Sequence, residues 1–291
     1  MQKLVHMNTK FRNNYYNTSC CDFTYKFPQV IKNIIKMRLY SIDIPNSWYN
    51  ISNYIGNTNF FIKIKKRQKN SERIVETKYE IEIPEGRWTK EELANHINRK
   101  YFYLSGSKTD LYFFKVYVDL TTSTTTFELQ YPSTEDYTDA KFDLIFSGDD
   151  FIKNQTKRPI IANLGWTLGY RQAQYINIMN KISSEAFFDD SQNRYIFISI
   201  NDYKYSRNDN NIAFLQDSVL DRDVLGKIYM KRNKFHISIN DTDGKENLKE
   251  RKYFSPVNID KISLKLLDEN GNIINLNNMD YSFTLEFIIE N

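Results

Sequence analysis

Lys261-Ile262-Ser263-Leu264-Lys265-Leu266 is the stretch that decides the fold. Ile262, Leu264 and Leu266 fall on one side of an extended chain and Lys261, Ser263 and Lys265 on the other, the two-residue period of a half-buried strand. Asn270-Gly271 follows, a pair that tolerates the positive φ of a two-residue hairpin turn. Tyr281, Phe283, Leu285, Phe287 and Ile289 resume the period. The segment from Ile259 to Ile289 thus reads as strand, tight turn, strand and closing strand. The same alternation appears near the other end, in Phe23, Tyr25 and Phe27 before Pro28, and again from Ile34 to Ile44 before Pro45. The first and last segments are expected to pair in one sandwich.

Composition favours sheet over helix. The 291 residues include 21 Tyr and 20 Phe but only 9 Gly and 6 Pro, and aromatic and β-branched side chains suit pleated, half-buried surfaces. A net charge of +4, from 40 basic and 36 acidic residues, is too small for a dedicated nucleic-acid binder. The two cysteines are neighbours, Cys20-Cys21. Adjacent cysteines can join only with strain, so a disulfide framework is excluded and a reducing cytosolic setting is expected. No apolar run approaches the length needed to span a bilayer, and Met1 to Arg12 lacks the apolar core of a signal peptide.

Along the chain, residues 1–18 are polar and read as an extended arm. Lys65 to Asn70 breaks a strand and reads as a hairpin tip or linker. Thr89-Lys90-Glu91-Glu92 fits a capping box, and Leu93, Ile97 and Tyr101 lie on one face of the helix that follows. Strands are expected over 111–120, 124–131 and 141–146. Gly165-Trp166-Thr167-Leu168-Gly169 suggests a close backbone passage. Tyr195 to Ile200 is apolar on much of both faces, hence central. The expected organisation is mainly β: a jelly-roll-like antiparallel β-sandwich from residues 1–74 and 184–291, with a small α+β lobe, 75–183, inserted between them.

Groups that could carry chemistry are sparse. His6, His96 and His236 neighbour no cysteine and lack metal-ligand spacing. Asp149-Asp150 and Asp189-Asp190 fit turns better than a glycosidase or cation site, since Asp is an ordinary turn former. Asp241-Thr242-Asp243-Gly244 lacks the closing Glu of a calcium loop. No catalytic residue, cofactor or metal is assigned. Lys63, Lys65, Lys66, Arg67 and Lys69 form the one basic patch, which could face an acidic partner; the plainer reading is a solvated hairpin tip whose lysines guard an edge.

Five segments read together: Phe11-Arg12-Asn13-Asn14-Tyr15-Tyr16, Asp22-Phe23-Thr24-Tyr25, Ile42 to Tyr49 (Ile-Asp-Ile-Pro-Asn-Ser-Trp-Tyr), Leu164 to Arg171 (Leu-Gly-Trp-Thr-Leu-Gly-Tyr-Arg) and Asn275 to Ser282 (Asn-Leu-Asn-Asn-Met-Asp-Tyr-Ser). Together they resemble virion structural proteins, of minor capsid type, encoded by giant nucleocytoplasmic large DNA viruses. The resemblance implies a jelly-roll sandwich, a non-enzymatic role in capsid assembly, residence in the virion after synthesis in the host cytoplasm, and other virion proteins as partners. A homo-oligomer is compatible with it. The α+β middle unit departs from a plain single jelly roll. Tyr15, Tyr16, Trp48 and Tyr49 are the expected interface residues, because Tyr and Trp combine contact area with a polar handle. The alternative is a binding module for a glycan or host receptor, with Trp88 and Trp166 as stacking candidates.

Overall fold

The computed structural model describes residues 1–69, 71–102, 109–131, 137–147, 160–190, 193–208, 212–215, 220–230, 237–241 and 250–290. In chain order the strands begin with β1 (Gln2–Asn8), β2 (Asp22–Pro45), β3 (Asn59–Gln68) and β4 (Ile74–Glu82), before helix α1 (Lys90–Ile97). Then come β5 (Phe114–Val118), β6 (Thr124–Leu129), β7 (Tyr137–Ile145), helix α2 (Leu164–Leu168), β8 (Gln174–Ile178) and β9 (Lys181–Phe187). The remaining strands are β10 (Tyr195–Asn201), β11 (Ala213–Phe214), β12 (Leu220–Asp221), β13 (Val224–Tyr229), β14 (Ile237–Asp241), β15 (Glu250–Leu267) and β16 (Ser282–Ile289). The protein is mainly β and every strand pairing is antiparallel.

The chain divides into two compact units, Met1–Trp48 with Asn193–Asn291, and Tyr49–Gln192. The expected boundaries at 74/75 and 183/184 therefore move to 48/49 and 192/193. The reason lies in the pairing: β3 hydrogen-bonds to β4 and β7, and β9 to β6, so both strands belong to the middle unit.

In the first unit the two ends of the chain build one jelly-roll-like sandwich. Its strands run β1-β16-β2-β15-β10-β13, with β14 also on β2. The first half of β2 pairs with β15, from Asp22↔Lys265 to Ile31↔Ile259, while its second half lies between two strands, paired with β16 from Ile34↔Ile289 to Asp43↔Ser282 and with the start of β15 from Ile34↔Val257 to Arg38↔Glu250. Phe27 lies ten positions before Met37, the register partner of Phe287, which in a straight strand would be about 33 Å. Yet the Phe27 and Phe287 rings meet edge to face at 6.4 Å. β2 must therefore turn over between them, and Asn33, with φ of 56°, lies at that corner. Opposite, the register of β15 slips between Lys252 and Lys261, and such bulges bend a strand. The sheet folds onto itself, so Phe23, Ile198 and Leu264 share a core with Met37, Ile42 and Leu285.

Three expectations need correcting in this unit. The two N-terminal strands are a single bent strand, because Pro28 and Asn33 mark a corner rather than an end. The segment between Leu267 and Ser282 is a loop pinned by buried Ile274, Leu276 and Tyr281, not a middle strand: only Gly271 takes positive φ at its first turn, and Asp268 accepts from the backbone of Asn270 and Asn272. The polar arm is no free arm. Residues 2–8 are β1, paired from Gln2↔Ile288 to Asn8↔Ser282, and β1 reads as polar because an edge strand keeps one side wet.

The middle unit holds a four-stranded sheet, β4-β3-β7-β8, and a three-stranded sheet, β5-β6-β9. Phe60 of β3 meets Phe127 of β6 at 5.5 Å, and Phe142 of β7 meets Phe114 of β5 at 5.0 Å. The expected helix is present with its capping box: Thr89 Oγ1 accepts from Glu92 N at 3.3 Å, and Glu92 Oε2 from Thr89 N at 2.8 Å. Leu93 and Ile97 are buried, and the Tyr101 hydroxyl donates to the Glu82 carbonyl at 2.8 Å. α2 ends at Gly169, whose φ is 96° and whose added Cβ would stand 2.1 Å from the Ala186 carbonyl oxygen, so the close passage is real.

Candidate interaction surface

Arg12 organises one corner of the sandwich. β1 ends in a 3₁₀ turn, Thr9–Phe11, capped by the Asn8 side chain, which accepts from Lys10 N at 2.9 Å. A second such turn, Tyr15–Asn17, starts after Asn14 in the left-handed region. The Arg12 guanidinium lies between them. It donates to the carbonyls of Thr9 (2.8 Å), Tyr15 (3.1 Å) and Thr18 (3.1 Å), and to Asp280 Oδ1 at 2.8 Å. Both side chains of this pair are 8% exposed.

Asp280 gathers the corner together. It also accepts from Thr9 Oγ1 at 2.7 Å and from the Tyr15 hydroxyl at 3.0 Å. That hydrogen bond, with the carboxylate charge behind it, raises the Tyr15 pKa above its ordinary value. The guanidinium covers the Tyr15 ring at 4.0 Å, and Tyr16 stands edge-on to Tyr15 at 5.4 Å. Arg12 and Asp280 together hold both turns, and the large apolar groups are left exposed. Tyr16 is 95% exposed, Phe11 75% and Met279 50%. A rigid backbone displaying large aromatic side chains is what an anchor residue needs, since little entropy is lost when it is covered.

Three of the five segments that carry the resemblance meet at this corner. Phe11–Tyr16 joins Asn275–Ser282 through Asp280. Ile42–Tyr49 joins Asn275–Ser282 through Ser47 Oγ, which donates to the Leu276 carbonyl at 2.7 Å, and through Asn277 Nδ2, which donates to the Ser47 carbonyl at 2.7 Å. Of the expected interface residues, Tyr15 and Tyr16 are displayed here. Trp48 is 4% exposed and belongs to the sandwich core, so its indole is not an anchor. Tyr49 is half-buried at the start of the middle unit.

The basic patch is corrected by its pairing. Lys63 meets Glu76 at 3.5 Å, Lys65 meets Asp143 at 2.7 Å, and Lys66 meets Asp110 at 2.9 Å. Lys66 follows Ile62 and Ile64 on the inward side of β3 and is itself buried, with its ammonium also donating to the Tyr131 hydroxyl at 3.3 Å. Arg67 and Lys69 remain exposed near the β3–β4 tip. Lys65, Lys66, Arg67 and Lys141 edge an open cleft of about 600 Å³, whose other walls include Leu129, Ile74 and Met179.

The remaining candidates land in ordinary places. His6 lies on β1, its Nδ1 2.9 Å from Thr284 Oγ1, not on a free arm. His96 meets the Trp88 ring at 4.9 Å with the planes tilted by 55°, and burial lowers its pKa. Trp88 donates from Nε1 to the Pro84 carbonyl at 2.9 Å, and the Arg171 guanidinium covers Trp166 at 4.0 Å. Asp189 N donates to the Thr167 carbonyl at 3.0 Å, a backbone contact that ties the end of β9 to α2. His236, Asp149, Asp150 and most of the Asp241–Gly244 stretch lie outside the described residues. Among the described residues no three His, Cys, Asp or Glu side chains cluster as a metal site, and no helix is long and apolar enough to cross a membrane.

Local reading missed Arg12 and Asp280, because the pair is 268 residues apart. The signal available was that both lie inside segments of the resemblance. No protein-family profile matches the chain, and no curated protein sequence does. Among solved structures it is similar to the selenomethionine-labelled mavirus penton protein, at 10% identity over 99% of this chain and 98% of that one, with a TM-score of 0.43. A likeness of that size carries neither fold nor function across.

Proposed function

We propose that this chain is a non-enzymatic virion structural protein, a minor capsid or capsid-associated component, that works by docking the Phe11–Tyr16 corner against a neighbouring virion protein or another copy of itself. The observation that carries the reading is the convergence of three resemblance segments on one rigid, aromatic-bearing corner, held by Arg12 and Asp280. Conserving polar atoms inside a turn serves the display of what the turn holds out. Here that is Phe11 and Tyr16, with Met279 beside them. Large aromatic groups on a pre-organised backbone supply most of the energy of an interface when a partner covers them.

The test is co-assembly with the other particle proteins. The doubly substituted chain, Phe11→Ser with Tyr16→Ser, keeps its melting temperature but enters particles at least tenfold less than the natural chain. Normal entry of that folded double variant would remove this corner from the interface. Absence of the natural chain from purified particles would end the virion assignment itself.

A further inference from the structure

Beneath the Arg12 corner lie the two thiols. Cys20 Sγ and Cys21 Sγ are 3.7 Å apart, with Cys20 7% exposed and Cys21 fully buried. They hold the loop just before Asp280: Cys20 Sγ donates to the Met279 carbonyl at 3.3 Å, and the Leu276 N–H faces the Cys21 sulfur. Beside them the Tyr281 hydroxyl is buried, with no hydrogen-bond partner among the described residues. A buried hydroxyl without a partner is costly, and this one is within electrostatic reach of both sulfurs.

We propose that Cys20-Cys21 is an oxidative modification site, converted by a small peroxide into a reversible disulfide between the neighbours. The chemistry runs in two steps. The Cys20 sulfur attacks one peroxide oxygen, the O–O bond breaks, and water leaves as a sulfenic acid forms on Cys20. The Cys21 sulfur then attacks Cys20, its proton and the sulfenic hydroxyl leave as a second water, and the S–S bond forms. Two thiols and one hydrogen peroxide give one disulfide and two waters, so the thiols lose two electrons and two protons.

Cys20 is the first nucleophile because it is the more accessible sulfur and because hydrogen bonding from Cys21, with Arg12 nearby, lowers its pKa. Cys21 stays protonated until the second step, since its hydrogen bond to Cys20 and its burial raise its pKa. The sulfurs need to approach by roughly 1.7 Å to reach bonding distance. Neighbouring Cα atoms are about 3.8 Å apart, below the roughly 4.4 Å that unstrained disulfides need, and strained disulfides are the readily reduced ones. Closing the ring removes the S–H donor from the Met279 carbonyl, one residue before Asp280, so the loop is released where the corner is anchored.

The experiment exposes the reduced, folded full-length protein to hydrogen peroxide, then unfolds, alkylates and digests it. The expected result is a peptide spanning residues 20–21 that is lighter by two hydrogens, resists alkylation at both sulfurs and is restored by dithiothreitol. Amide exchange at 276–281 should rise at least threefold in the oxidised protein. In Cys20→Ser, checked for folding by its melting temperature, the two-hydrogen loss should vanish. The proposal is overturned if the peptide gains oxygen atoms while both cysteines stay unlinked, if disulfide-joined dimers form instead, or if the folded chain does not react at this peptide.

Discussion

The Arg12 corner and strand β3 both advertise charge, and the fold treats them oppositely. In β3, Lys63, Lys65 and Lys66 each meet a carboxylate, so a run that reads as a basic patch becomes a set of closed pairs on one strand. At the corner a single arginine and a single aspartate, far apart in sequence, fix two turns and leave the aromatic groups facing outward. Charge density in a sequence therefore says little about a site until the partners are known. What distinguishes a display surface is polar atoms used internally and apolar atoms left uncovered.

Substitutions separate the two regions by size of effect. Asp280→Ala strands a buried guanidinium, and breaking such a pair costs about 3 kcal/mol; chemical denaturation should show that loss together with faster exchange over 9–18. Lys66→Ala leaves Asp110 and Tyr131 without their shared donor and should cost about 1–2 kcal/mol. If the two losses came out equal, or in reverse order, the contrast between lock and strand would need redrawing. Tyr16→Ala touches no buried group, so its stability should stay within about 0.5 kcal/mol of the natural chain while partner binding falls. Arg67→Gln with Lys69→Gln should stay within about 0.5 kcal/mol and leave partner binding unchanged. Weakened binding in that last variant would return the β3–β4 tip to the interface.

Acid titration adds a further check. Glu250 is buried, and although burial alone would raise its pKa, Lys36 and then Lys252 bring it below its ordinary value. A folded-state pKa below the unfolded one, about 4.3, means the stabilisation is present above the unfolded value and is lost as pH falls through the folded one. Glu250→Gln should remove part of the acid-side decline in stability while leaving the neutral-to-alkaline slope alone.

Much of the local structure was legible because its causes are local. The capping box needs only Thr89 and Glu92. Strand β10 declares itself through Ile196, Ile198 and Ile200, and it pairs on both sides with β13 and β15. The bend in β2 was not legible, because it depends on where β15 slips register. The arm was misjudged for a related reason: Lys3 and His6 are exposed, and only the backbone pairing with β16 makes the segment a strand. Lys66 could have been caught, since the period of β3 places it on the same side as Ile62 and Ile64. Arg12 with Asp280 could not be paired from spacing, being at opposite ends of the chain.

Hydrogen exchange on the free protein and on the same protein within its assembly tests the account most directly. Protection gained on assembly should fall on residues 9–18 and 276–281, with no change over 59–82. Protection confined to 59–82, with the Arg12 corner exchanging as it does in the free chain, would contradict it.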